Sequence, residues 1–216
     1  MEISKRLRMA AELVEGRRVA DIGTDHAYLP IWLWEQGRLE RGVACDIHRG
    51  PLERARENIR QSGAESVIQV RLGDGLAPVA PFEVQTAVLC GMGGMLMLQI
   101  LENAPRVAAS LEQVVLQPQL DLPRVRQGLH RLGFMIREER MEREDGRFYT
   151  AISAVPGRES YTPREYLYGK KLLERRDPVL AQALARQLLL LERIPARAAD
   201  ARELREVCTW LSGSGK

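Results

Sequence analysis

Val19-Ala20-Asp21-Ile22-Gly23-Thr24-Asp25-His26-Ala27-Tyr28-Leu29-Pro30-Ile31-Trp32-Leu33 decides the fold of this chain. A short apolar run ends in an acid and a glycine, then passes into a segment with helical spacing at Tyr28, Ile31 and Trp32. A buried parallel strand feeds a ligand-binding turn and a helix in this way.

The same grammar repeats outward from that stretch. Ile3, Leu7, Ala10, Leu13 and Val14 predict an amphipathic helix over residues 3–15, closed by Gly16. Gly42 to Cys45 reads as a second strand ending at Asp46, and Pro51 opens a helix whose inner face carries Leu52, Ala55, Asn58 and Ile59 before Gly63. Val67 to Leu72 is a third strand followed by Gly73-Asp74-Gly75. Thr86 to Leu89 is a fourth, followed by Gly91-Met92-Gly93-Gly94 and a helix with Leu96, Ile100 and Leu101 inside. Val114 to Leu116 is a fifth, followed by Gln117-Pro118-Gln119 and a helix over 122–132. Phe134 to Met141 and Phe148 to Ala154 are strands six and seven, joined as a hairpin across Glu144-Asp145-Gly146. The expectation is an α/β fold with a mostly parallel seven-stranded sheet and an antiparallel edge hairpin.

Beyond Pro156-Gly157 the strands stop. Thr162-Pro163 and Asp177-Pro178 open helices, and Asp200 with Glu203 forms a capping-box-like start for a third. Leu180, Leu184, Leu188, Leu191 and Ile194 make one apolar stripe, and Leu204, Val207, Cys208 and Leu211 a second, which predicts a helical hairpin burying its own seam. Two domains are expected, 1–157 and 158–216.

Composition narrows the class. The 216 residues are 45% hydrophobic and 28% charged, enough for one sizeable core and a smaller appendage. No apolar run is long enough to span a bilayer and the N-terminus lacks a signal core, so a cytoplasmic protein is expected. Cys45, Cys90 and Cys208 are too widely spaced for a disulfide framework or a zinc site, and no metal is expected. Residues 1–157 hold 20 Lys and Arg against 21 Asp and Glu, whereas 158–216 hold 12 against 8. That excess, which includes Arg175 and Arg176, hints at an anionic partner for the tail.

In a doubly wound sheet, ligands lie across the C-terminal strand ends. There the chain collects Asp21, Gly23 and Asp25, then Asp46 with Ile47, then Gly73, Asp74 and Gly75, then Gly91. Asp46 is placed to accept from a ribose diol, and Asp74 from an adenine amine; either acid alone is equally an ordinary loop residue. A dinucleotide site requires Gly-x-Gly-x-x-Gly so that a pyrophosphate can approach, but Gly23 is followed by Asp25 and Ala27. A carboxylate there repels a pyrophosphate and suits the ammonium and sulfonium of S-adenosylmethionine.

An ordered series of motifs is narrower still: Val19 to Ile31, Gly50-Pro51-Leu52 with Ala55 and Asn58-Ile59, Arg71 to Leu76, Gly91 to Gly94, Leu116-Gln117-Pro118-Gln119, and Gly146-Arg147-Phe148-Tyr149. It closely resembles the bacterial tRNA (adenine22-N1)-methyltransferase family over residues 3–154, and Tyr168-Gly169-Lys170 with the Leu-rich helices resembles that family's helical extension more loosely. Thr24 stands where Ser is expected and keeps the hydroxyl. The resemblance implies a Rossmann-like class I methyltransferase domain, S-adenosylmethionine as methyl donor and tRNA as acceptor, methylated at N1 of an adenine in the D-arm region. It also implies that Asp21, Gly23, Thr24, His26, Asp46, Ile47, Gly73, Asp74, Gly75 and Gly91 line the cofactor pocket.

Adenine N1 carries an in-plane lone pair and no proton, so alignment matters more than a strong base. Asp25 is the candidate to accept from the exocyclic amine as charge develops, or else an acid serving the cofactor or the helix N-terminus. Tyr28 is the candidate stacking face for an unstacked adenine, with Phe148 and Tyr149 as rivals whose alternative is core packing. Met92, Gly93 and Gly94 stand where amino methyltransferases keep an Asn-Pro-Pro-Tyr-like motif; their difference fits a ring-nitrogen target and puts them on the acceptor side, with Arg175 and Arg176 as tRNA contacts. Two alternatives stay open: a methyltransferase of another RNA, a protein or a small molecule, and a non-enzymatic RNA-binding module. A monomer is the default for the oligomeric state.

Overall fold

A computed structural model describes residues 1–193 and 198–213. Parallel strands β1 (Arg18–Ile22), β2 (Arg41–Asp46), β3 (Ile68–Leu72), β4 (Thr86–Cys90) and β5 (Gln113–Gln117) join an antiparallel hairpin, β6 (Phe134–Glu144) and β7 (Arg147–Pro156). The seven strands lie in the order β3-β2-β1-β4-β5-β7-β6. The order reverses direction between β1 and β4, which opens a crevice at their C-terminal ends.

Helices α1 (Lys5–Glu12), α2 (Tyr28–Glu35) and α3 (Arg49–Ser62) bury Val19, Ala44, Val88 and Val115 on one face. Helices α4 (Gly94–Asn103), α5 (Pro105–Ala108) and α6 (Leu122–Arg131) bury Ala20, Val43, Leu89 and Leu116 on the other. Alternate residues of each strand serve alternate faces, so a strand buried on both sides reads as an unbroken apolar run.

The strand and hairpin assignments hold, with the hairpin longer than its apolar core suggested. Three local readings need correction. Gly16 is not a helix cap: α1 ends at Glu12, and a Cβ on Gly16 would lie 2.8 Å from both Gln85 Cβ and Thr86 Oγ1, so the glycine permits close approach. Leu96 is 48% exposed, and Met97 and Leu98 take the inner face of α4. Asp200 lies inside α10 (Ala198–Leu211), two residues after its start.

The tail is built from α7 (Pro163–Tyr168), α8 (Lys170–Glu174), α9 (Pro178–Leu191) and α10. Thr162 and Glu165 form a capping box on α7, and the Asp177 carboxylate accepts from Val179 N and Leu180 N at 2.9 and 3.0 Å to cap α9. Leu180, Leu184, Leu204, Val207 and Leu211 bury the seam together with Tyr168, Leu172 and Leu173, and Met141 of β6 packs against them. Ile194 lies outside the described residues.

A buried ion pair between α6 and β6 also anchors the tail. Arg126 Nε of α6 donates to Glu139 Oε1 of β6 at 2.7 Å, with side chains 1% and 0% exposed, and Arg126 Nη1 donates to the carbonyls of Tyr166 and Leu167. Gly169 sits against the pair with φ 91°; a Cβ there would come within 2.7 Å of Arg126 Nη2 and Glu139 Oε2, so only glycine fits. Because β6 runs parallel to β5, its turn lies at the same sheet edge as the crevice. Arg186 of α9 donates to Gly146 O in that turn at 2.6 Å.

Candidate active site

A cleft of about 490 Å³ opens at the C-terminal ends of β1, β4 and β5. Asp21 begins it. The preceding strand residues bury the chain, and the turn after Ile22 is fastened to β2 by Gly23 N and Thr24 N, both donating to Cys45 O at 2.9 Å. Gly23 takes φ 75°, and a Cβ there would lie 2.6 Å from Met92 Cε, so both conformation and space require glycine.

Thr24 does two jobs, which explains why a hydroxyl residue stands there. Its Oγ1 accepts from Ala27 N at 3.1 Å, closing the turn at the head of α2, and the hydroxyl also bonds the Asp21 carboxylate. Burial raises the Asp21 pKa to about 6, the Thr24 hydrogen bond opposes that rise, and Asp46 adds to it. Ala27, itself buried, takes φ 56° to start α2, a turn of chain that leaves Asp25 and Tyr28 exposed along one wall with His26 half-buried between them.

Asp25 pairs with the Arg54 guanidinium of α3 and lies 3.3 Å from His26 Nε2. The His26 ring stacks on Tyr28, centroids 4.8 Å apart and planes within 8°, and Asn58 Nδ2 holds the His26 carbonyl at 2.9 Å. Tyr28 remains 40% exposed. Cys90 also lines the cleft; burial and then Asp21 push its thiol well above the ordinary range, so it is a neutral wall.

Sequence reasoning missed the opposite wall. Glu2, Ile3, Ser4, Arg6 and Leu7 line the cleft, as do Gln117 and Gln119. Gln113 and Gln117, buried on the same face of β5, bind the two ends of α1: Gln117 Nε2 donates to Arg6 O at 2.8 Å and Gln113 Nε2 to Leu13 O at 2.7 Å. Helix α1 therefore lies antiparallel along β5 and brings its N-terminus to the crevice. Two amides four residues apart, one on each side of the predicted fifth strand, were the available signal.

The remaining sequence-predicted residues distribute along the same edge and beyond it. Asp46 carries the end of β2, its Oδ1 accepting from His48 N at 2.7 Å, and its carbonyl accepts from Gly73 N at 3.0 Å. Asp46 pairs with Leu72 in register, and Ile47 and Leu72 are 56% and 47% exposed. Asp74 is exposed and Gly75 takes φ 52° against Ile100. Gly91 is in the cleft wall, whereas Met92 packs on the core and Gly94 is closed in by Val125 Cγ2 and Leu120 O, 2.4 and 2.6 Å from where its Cβ would be. Gly93 is open. Phe148 and Tyr149 lie outside the cleft, under Arg143 and Arg6 respectively. Arg175 is engaged inside the tail, with Asp177 Oδ2 at 3.0 Å and with the Glu139 carbonyl, while Arg176 lies 5.0 Å over the Trp210 ring.

The donor set fits a cationic nucleoside. Asp21 and Asp25 line the cleft, and Asp46 and Asp74 follow along the strand edge beyond its lining, where the Ile47 side chain is exposed. Among the described residues no group of three or more His, Cys, Asp or Glu is gathered as for a metal ion, and no helix is long and apolar enough to cross a membrane.

Comparison with known proteins points the same way. Residues 3–152 match the methyltransferase domain family. The tRNA (adenine(22)-N(1))-methyltransferase of Bacillus subtilis (strain 168) is 34% identical over 158 residues, 73% of this chain and 66% of that enzyme's length. The structure of Streptococcus pneumoniae Sp1610, a candidate tRNA (m1A22) methyltransferase, in complex with S-adenosyl-L-methionine superposes with TM-score 0.89 at 31% identity, covering 97% of this chain and 99% of that one. The B. subtilis m1A22 tRNA methyltransferase structure gives TM-score 0.80 at 28% identity, with 98% of each chain covered.

Proposed function

The chain belongs to the bacterial tRNA (adenine(22)-N1)-methyltransferase family, and we propose that it transfers a methyl group from S-adenosylmethionine to N1 of adenine 22 in tRNA. The observation that carries this reading is the acid-lined cleft at the end of β1, walled by Asp21, Asp25 and Tyr28 on one side and α1 on the other. When bound, S-adenosylmethionine supplies an electrophilic methyl group on a sulfonium.

The chain's own residues then have separable roles. Asp21, ionised above about pH 6, holds negative charge beside the cationic end of the donor. Asp46 and Asp74 take the hydroxyls and amine of its nucleoside, with the exposed Ile47 side chain beside them. Gly23, Thr24, His26, Gly73, Gly75 and Gly91 shape the approach. Asp25 accepts from the exocyclic amine of the target adenine; its contact with Arg54 makes it an oriented acceptor more than a lone counter-charge. The Tyr28 ring, backed by His26, gives the unstacked adenine a face. Met92 and Gly93 follow Gly91 on the acceptor side, Met92 packed on the core below and Gly93 open, and Gly94 lets the loop after β5 close. No group needs to remove a proton, because N1 attacks through its lone pair.

Residues 1–157 form the catalytic domain and 158–216 a helical domain that contacts tRNA, Arg176 included. The protein works in the cytoplasm with its tRNA, as a monomer. Incubating the chain with labelled S-adenosylmethionine and two transcripts, one with adenosine and one with guanosine at position 22, tests the substrate. Label on the first alone is expected; equal label on both contradicts the assignment.

A further inference from the structure

Trp210, near the end of α10, is 39% exposed, and two guanidiniums lie over its ring: Arg176 at 5.0 Å and Arg164 at 5.8 Å from the centroid. They come from separate elements. Arg164 sits in the first turn of α7, and Arg176 sits in the connection between α8 and α9, where it takes φ 50°, an uncommon conformation for a non-glycine residue. Arg164 and Trp210, with Thr162, Glu165, Lys170, Leu173 and Glu174, border a hollow of about 390 Å³ that shares no residue with the catalytic cleft, and Arg176 lies on the indole outside that lining.

The acids at the rim are engaged locally. Glu165 accepts from Thr162 N at 2.6 Å in the capping box, and Glu174 faces Lys171 at 3.6 Å. Among the described residues neither Arg164 nor Arg176 has a carboxylate partner, in contrast to Arg175 beside them. A guanidinium stacked on an indole is held in orientation while its in-plane N–H edge stays available, and that planar fork matches phosphate oxygens.

We propose that Arg164 and Arg176, held on Trp210, form a phosphate-binding site on the tail that grips the tRNA backbone at a second point away from the cleft. The proposal rests on the reading of tRNA as the substrate. It gives the tail's basic residues different roles, since Arg175 fixes the tail to β6 whereas Arg176 faces outward with Arg164.

Binding of an unmodified tRNA transcript to the full-length chain, titrated across a series of salt concentrations, tests it. Replacing both arginines (Arg164→Gln with Arg176→Gln) is expected to weaken tRNA binding roughly tenfold and to flatten the slope of log affinity against log salt by about 1 to 2, one step for each phosphate no longer held. Arg164→Lys with Arg176→Lys keeps both charges and is expected to recover the slope but not the affinity, because the stacked fork is gone. Trp210→Leu should lose affinity in step with the lysine pair, and S-adenosylmethionine binding should be unchanged in all three. Glutamine variants that bind like wild type, or lysine variants that do, overturn the site; the second result means diffuse charge in place of a built fork. A wild-type chain that binds no tRNA overturns the substrate reading along with it.

Discussion

Asp21 answers to two opposed demands. Folding buries it and raises its pKa from 3.8 to about 6, so the folded chain binds its proton more tightly than the unfolded chain does. Its favourable contribution is full below about pH 4 and is lost as pH rises through about 6; at neutral pH the buried charge is a net cost. Asp21→Asn should therefore raise stability at pH 8, by up to about 3 kcal/mol for a rise of that size, with the gain vanishing near pH 4. Urea unfolding of both proteins at the two pH values checks it. The same substitution should abolish cofactor binding, and in the wild type S-adenosylmethionine affinity should fall roughly tenfold per pH unit below about 6. Affinity that is flat from pH 7.5 to 5 contradicts the role given to Asp21. At this scale the sequence was informative where a residue type is forced: Gly23 by φ and by Met92, Thr24 by its two hydrogen bonds, Gly169 by the ion pair behind it. It was silent on Asp25 pairing with Arg54, because the two come from different helix–loop units and nothing local records the meeting.

Helix α1 shows what periodicity conveys and omits. Its apolar spacing announced a helix, but not that the helix forms a wall of the cleft, since that depends on amides about a hundred residues away. Gln113 bonds Leu13 O, Ser153 Oγ, Thr86 Oγ1 and Glu15 N, and Gln117 bonds Arg6 O. Gln113→Leu leaves several buried polar groups unpaired and should cost about 3 kcal/mol or more, at about 1 kcal/mol or above for each. Gln117→Leu removes one bond at the cleft end and should cost only about 1–2 kcal/mol, yet it should raise KM for S-adenosylmethionine by loosening residues 2–7. Calorimetric melting beside steady-state kinetics separates the two effects. If Gln117→Leu leaves KM unchanged, α1 is a core helix and nothing more. The hairpin was legible from its turn and alternation, whereas the short α5 and α8 carry too few residues for a period to emerge.

Across the whole molecule, the tail is anchored through a buried α6–β6 pair that no sequence pattern announces, its Arg126 donating to the Tyr166 and Leu167 carbonyls. Arg126 and Glu139 are fully buried and thirteen residues apart, on a helix and a strand that each look ordinary. Removing one partner strands a charge: Arg126→Met should destabilise by about 3–5 kcal/mol, and adding Glu139→Leu should recover most of that. Thermal melts of the single and double variants check it, and equal losses in both would contradict a pair that locks by charge. Since α9 also reaches the hairpin turn through Arg186 and Gly146, tail and cleft are held in one orientation at the same edge of the sheet. The mostly parallel sheet with its edge hairpin and the row of acids followed from repeated strand–turn–helix units in the sequence. The wall supplied by α1 and the Arg–Trp cluster of the tail did not, because both are made by packing between distant segments.

Delivery of a methyl group by the cleft to a ring nitrogen of one adenine is tested most directly by nucleoside mass spectrometry of tRNA treated with the purified chain and S-adenosylmethionine. The expected product is 1-methyladenosine, mapped to position 22 and lost with Asp21→Asn. Methylation on the exocyclic amine, on another nucleotide, or undiminished in that variant would contradict it.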